Sequence, residues 1–238
     1  MERYPLRSAS MAFFGSLPRE GVPHEVSSGS VSMLKLDDKP LIVTCSHVLR
    51  GYRERMAEGE CIFQIGNCKL DPLSQLVDES TALDLAVISL TNEQAFEIQK
   101  PGSGFGEFFV KPAIWPPSPV SEGDFVSFGG YPGELRKAIS FNELSFGSYS
   151  SGASRVTAVH ADYLVCQFER EHWIRHGFEP EPSNIRGMSG GPVFAIRQSG
   201  KSGIVTHEFI GIIYEFSEDY ELLYVRLARV LDSNGRMA

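Results

Sequence analysis

The chain lacks any apolar run of about 18 residues, the length that a membrane-spanning helix needs. It lacks a basic excess as well: 22 Lys and Arg stand against 30 Asp and Glu, for a formal net charge of −8. Binding a phosphate backbone requires clustered cations, so this balance argues against a nucleic-acid partner and, on the same ground, against an anionic membrane surface. Cysteine is scarce. Cys45, Cys61, Cys68 and Cys166 form no C-x-x-C pair, which removes the usual structural zinc pattern. Free thiols in a reducing compartment suit these four better than disulfides. Near the start, the best apolar stretch is Met11-Ala12-Phe13-Phe14, short of the apolar core of about 7–15 residues in a secretory signal. These absences predict a cytoplasmic protein without a membrane partner. There are no internal repeats and no low-complexity tracts. What remains, 42% hydrophobic and 22% charged residues over 238 positions, is ordinary globular composition with enough chain for two packed barrels or two small subdomains.

Within that composition, 23 glycines and 14 prolines separate short apolar runs, as in a strand-and-turn fold. The most specific turn is Gly187-Met188-Ser189-Gly190-Gly191-Pro192, which leads into the apolar run Val193-Phe194-Ala195-Ile196. A serine hydroxyl attacks a carbonyl only when a base takes its proton and N–H donors stabilise the resulting oxyanion. Glycines beside the serine allow the sharp bend that aims backbone N–H groups at one point. The pattern G-x-S-x-G also fits the nucleophile elbow of an α/β-hydrolase, whose acid and histidine follow the serine. Here the last histidine is His207, with no Asp or Glu between it and Ser189, and too little chain follows for such a fold.

The order His, Asp, Ser is available instead. Leu41-Ile42-Val43-Thr44-Cys45-Ser46-His47 is an apolar strand-like run ending in a histidine, and Asp84 stands at the head of Leu85-Ala86-Val87-Ile88-Ser89-Leu90. With T-x-x-H-V, D-x-A-V and G-x-S-G-G-P in this order, the chain resembles the chymotrypsin-like serine proteases, and most closely the bacterial Deg/HtrA-type catalytic domain without its PDZ domain. The resemblance runs from about Ser28 to Tyr224. It implies an all-β fold of two Greek-key six-stranded barrels packed together, with the active site at their interface. The expected division is an N-terminal lead over 1–27, a first barrel over 28–110, a linker over 111–122 around Trp115-Pro116-Pro117-Ser118-Pro119, and a second barrel over 123–238. It further implies that Ser189 is the nucleophile, that His47 is the general base, that Asp84 orients His47, and that the N–H groups of Gly187 and Ser189 form the oxyanion hole. No cofactor and no metal are implied. The implied partner is a polypeptide substrate, with an activating protein as a further candidate. A module that binds a peptide or protein without cleaving it is the alternative.

Several positions depart from the secreted members of that family. The residue before the nucleophile is Met188 rather than the Asp that pairs with a newly released N-terminus, so no proteolytic maturation is expected. Val48 follows His47 where secreted relatives often carry a cysteine. The resemblance puts the floor of the specificity pocket at Ser183, and its flank at Tyr214, Glu215 and Phe216. Phe216 is expected to narrow the pocket in favour of apolar side chains, while Glu215 would favour a basic one. Residues 169–186 form an insert expected to shape the cleft. His172 and His176 have an i, i+4 spacing but lack the glutamate of H-E-x-x-H chemistry, so no metal site is expected there. Strands are expected at Val31–Leu36, Leu41–Thr44, Cys61–Ile65, Leu85–Leu90, 138–147, 154–159, 163–168, Val193–Ile196, Phe209–Tyr214 and Leu222–Arg226, with one short helical turn over 46–51.

Overall fold

A computed structural model describes residues 4–16, 26–100, 106–140, 143–168, 173–175 (backbone only), 182, 184–198 and 203–238. Its first sheet contains β1 (Ala9–Gly15), β2 (Val26–Leu36), β3 (Lys39–Thr44), β4 (Ile62–Ile65), β5 (Cys68–Lys69), β6 (Leu76–Ser80) and β7 (Leu85–Ser89), in the order β5-β4-β1-β2-β3-β7-β6. The turn at Asp37-Asp38 has positive φ at both residues, the conformation that a two-residue hairpin requires, and it sets β2 against β3 with Leu34 opposite Leu41. Both faces of this hairpin are buried, Leu34, Leu41 and Val43 on one and Val31, Met33 and Ile42 on the other, in a core shared with Phe14, Phe63 and Leu85.

The second half holds β8 (Phe125–Gly130), β9 (Arg136–Ser140), β10 (Glu143–Phe146), β11 (Tyr149–Val159), β12 (Tyr163–Gln167), β13 (Trp173–Arg175), β14 (Pro192–Gln198), β15 (Val205–Ser217) and β16 (Leu222–Leu227). Strands β8, β11, β12, β16, β15 and β14 pair in a ring and close a six-stranded barrel, with β13 added outside on β11. Its interior is built from Val126, Phe128, Leu164, Cys166, Val193, Ile210 and Val225. β9 and β10 form a separate hairpin. The expected pair of β units is therefore present. The second is a closed six-stranded barrel, whereas the first is a seven-stranded sheet whose end strands β5 and β6 are not paired with each other.

Two differences from the sequence expectations have plain causes. The segment before Ser28 is more than a lead: β1 lies inside the first sheet, paired with both β2 and β4, and its Ala12 and Phe14 are core residues. The short helix α1 (Tyr4–Arg7) ahead of it reaches the other half, where Tyr4 stacks on His207 at 4.8 Å and meets Phe194 edge-on at 5.0 Å. Burial in this contact lowers the pKa of His207. The helical turn expected over 46–51 is a full helix, α2 (Ser46–Glu58), since Val48, Leu49 and Tyr52 present one apolar face and the other side is charged. A further helix, α3 (Asn92–Ile98), is opened by a capping box in which Thr91 and Gln94 exchange hydrogen bonds.

Candidate active site

β3 ends at Thr44, and α2 begins two residues later, which places His47 in the first helical turn. The first N–H groups of a helix have no partner within it. Asp84 supplies one. Its Oδ1 accepts the backbone N–H of His47 at 2.9 Å, and its Oδ2 lies 2.7 Å from His47 Nδ1. One carboxylate thus caps the helix and orients the ring, and the positive end of the helix dipole favours its charge. Burial alone would raise the Asp84 pKa, but hydrogen bonds from the His47 ring and N–H, together with its charge, hold the carboxyl below the usual range. Asp84 adopts φ 49°, a left-handed conformation that Asp tolerates better than most residues, at the turn leading into β7. Ser46 Oγ donates to Glu79 at 2.7 Å and Arg53 pairs with the same carboxylate at 2.6 Å, pinning α2 to β6.

The turn carrying Ser189 is held from several sides. Gly190 N–H donates to Ile213 O at 2.7 Å, and Cys45 Sγ donates to the same carbonyl at 3.3 Å. The residue after Ser189 and a residue just before His47 therefore share one acceptor on β15. Among the described residues Ser189 Oγ makes no hydrogen bond to His47; such contacts are often long in unliganded enzymes and tighten with substrate. Gly187 has φ 99° and Gly190 φ 92°, and a side chain on either would meet backbone at once: Gly133 N in the first case and Ser30 O in the second. Arg186 O accepts from Gly133 N at 2.7 Å. In a planar trans peptide the N–H points opposite the carbonyl, so this bond turns the Gly187 N–H away from the Gly133 loop. Among the described residues neither the Gly187 nor the Ser189 N–H has an intramolecular acceptor, the state required of oxyanion donors.

Beside this turn lies a cleft of about 470 Å³, lined by Arg186 and Ser189 on one side and by Tyr214, Glu215, Phe216 and Glu218 on the other. A trypsin-like peptidase domain model matches residues 27–201, most of the sequence. The chain belongs to the trypsin-like peptidase domain family.

Solved structures with some similarity to this chain include several proteases. A scabies mite inactivated protease paralogue has 12% identity and a TM-score of 0.50, covering 96% of this chain and 91% of its own. Tobacco etch virus protease in complex with product has 10% identity and a TM-score of 0.47, with coverage of 96% and 76%. A thermostable serine protease from an extremophilic microorganism has 12% identity and a TM-score of 0.44, with coverage of 93% and 91%. No match was found among curated protein sequences. A fold shared with a protease described as inactivated says nothing of activity, which has to be argued from the site.

In this trypsin-like peptidase domain, three of the four implied pocket residues line the cleft. Ser183 lies outside the described residues, as do His172, His176 and most of the insert. Glu215 is exposed on the cleft. Phe216 lies 4.6 Å from the Phe168 ring and so leans on the second core. Tyr214 covers the Arg226 guanidinium at 4.4 Å, and burial pushes its phenol up to about 12. Arg226 is buried and pairs with Asp162.

Met188, directly before Ser189, is an interior residue. Its side chain is 1% exposed and packs into the second barrel's core. Met188→Asp is therefore expected to destabilise the fold by about 3 kcal/mol or more, because it buries a carboxylate among apolar groups. A urea-unfolding midpoint close to that of wild type would contradict this burial.

The sequence reading missed Ser30 and Gly133. Ser28, Ser30 and Ser32 recur at every second position along one face of β2, and that period-2 row of small hydroxyls was the available signal.

Proposed function

We propose that this peptidase domain is a serine endopeptidase, acting through Ser189, His47 and Asp84 and an acyl-enzyme intermediate. The observation that carries the reading is the two-point hold of Asp84 on His47, next to a nucleophile turn with two unpaired N–H groups. In this mechanism His47 takes the Ser189 proton as the hydroxyl attacks the peptide carbonyl. Asp84 stabilises the imidazolium, and the N–H groups of Gly187 and Ser189 receive the oxyanion. His47 then protonates the leaving amine, and water repeats the sequence to release the acyl group. The extended substrate lies against Tyr214, Glu215 and Phe216. The turn's internal hydrogen bonds support activity without N-terminal cleavage. The four cysteines are free, which suits a reducing compartment such as the cytoplasm.

Cys45 is the other nucleophilic side chain near His47. Its Sγ, a His47 ring nitrogen and an Asp84 oxygen lie within 4.8 Å of one another. The thiol is fully buried and desolvation raises its pKa far above the ordinary range, the opposite of a reactive thiolate. Cys45→Ala is expected to keep probe labelling within a few-fold of wild type; loss of labelling in that variant would transfer the nucleophile to Cys45.

The deciding experiment treats purified wild type and Ser189→Ala with a fluorophosphonate probe. Labelling of wild type alone is expected. Labelling that appears only after adding cell lysate would introduce an activating partner. No labelling under any condition would leave a peptide-binding module.

A further inference from the structure

The oxyanion turn belongs to the second half of the molecule, yet its central carbonyl is held by the first. Gly187 O accepts two hydrogen bonds from one residue of β2: Ser30 N at 2.8 Å and Ser30 Oγ at 2.8 Å. The same Oγ accepts the Tyr131 N–H at 2.8 Å. A serine hydroxyl has one proton to give and lone pairs to receive, so both bonds coexist. Tyr131 begins the stretch that reaches Gly133, whose N–H fixes Arg186 O. Ser30 Oγ thus ties together the two segments that set the Gly187 peptide: the turn itself and the loop that holds its preceding carbonyl. Ser30 is fully buried, and Thr44 Oγ1 donates to its carbonyl at 3.0 Å, so its backbone is fixed as well.

We infer that Ser30 is the positioning residue of the oxyanion hole, a clamp from the first sheet that keeps the Gly187 N–H aimed into the cleft in place of an Asp–N-terminus pair. The inference rests on the peptidase reading for its effect on rate, but the clamp itself has an independent readout. Ser30 touches no reacting atom. It acts through Gly187, and the loss of one hole donor typically lowers rates by about 100–1000-fold. A donor that is loosened rather than removed is expected to lose about 10-fold or more.

The test compares wild type with Ser30→Ala in two measurements. The first is hydrogen–deuterium exchange of the turn over residues 185–191, read against β16 as an internal measure of global stability. Exchange of the turn is expected to accelerate about 10-fold or more while β16 stays at its wild-type rate. The second is the second-order rate of fluorophosphonate labelling, expected to fall about 10-fold or more. Wild-type exchange in the turn overturns the clamp, whatever the labelling shows. Accelerated exchange with unchanged labelling overturns its role in the hole while leaving the peptidase reading intact. If wild type is not labelled at all, the peptidase reading fails and exchange alone decides the clamp. Should Ser30→Ala not fold, Ser30→Cys keeps the side-chain volume with a weaker donor, and the same two readouts apply with smaller changes.

Discussion

Ser189→Ala is expected to lower peptide hydrolysis by about a million-fold, the scale seen when the nucleophile of a serine-protease triad is removed alone. The substitution deletes one oxygen at a position whose surroundings are otherwise fixed: Gly190 N–H stays on Ile213 O, and Met188 stays in the core. The fold should therefore survive, with an unchanged thermal midpoint. Residual turnover should remain above that of free solution, because the N–H groups of Gly187 and Ala at position 189 can still polarise a bound carbonyl. Substrate binding should be close to wild type, so the loss falls on kcat and not on KM. A variant that kept more than about a hundredth of wild-type turnover would place the nucleophile elsewhere.

Asp84→Asn is the second large effect, about 10,000-fold in kcat at neutral pH. The amide can still accept the His47 backbone N–H that Oδ1 holds at 2.9 Å, so the helix cap is preserved. Its NH2 group would then face Nδ1, forcing the proton onto Nε2, where the base must be vacant. Stability should change in a defined pH window too. The folded-state pKa of Asp84 is depressed, so its contribution is fully present above the ordinary carboxylate value and is lost as pH falls through the lower folded-state value. Asp84→Asn removes that part of the acid dependence. Unfolding followed between about pH 2 and pH 5 should show a shallower decline for the variant than for wild type.

Much of the candidate site was legible because the motifs of this family carry their residue types in a recognisable order along the chain. His47 and Asp84 announce themselves as polar residues at the ends of apolar runs, and Ser189 by the glycines around it. Strand positions followed from short apolar runs and turns, with β3, β7 and β16 falling where the pattern placed them. What escaped was what depends on long-range partners. β1 lies ahead of the matched motifs, and only pairing with β2 and β4 makes Met11 and Phe14 interior residues. α2 extends past the expected turn because Tyr52 packs on Phe63, a partner in another element. The capping box at Thr91 and Gln94 was readable and went unread. Met188 was read for the carboxylate it lacks, but that its side chain fills the second core is a fact of packing. Phe216 was expected to narrow the pocket; it lines the cleft while resting on Phe168, a neighbour no spacing rule would supply.

The bond from Ser30 to Gly187 joins residues 157 positions apart. Contacts of such separation are costly to close and form late, after local pairings have organised each half. A newly made chain can therefore assemble its first sheet, with His47 and Asp84 already paired, well before the oxyanion turn has anything to lean on. On the proposed peptidase reading, catalytic competence arrives only with the docking of the two halves. Partly folded copies, the species most exposed to one another during synthesis, would then be the least able to cut, and self-digestion would be restrained by the order of folding.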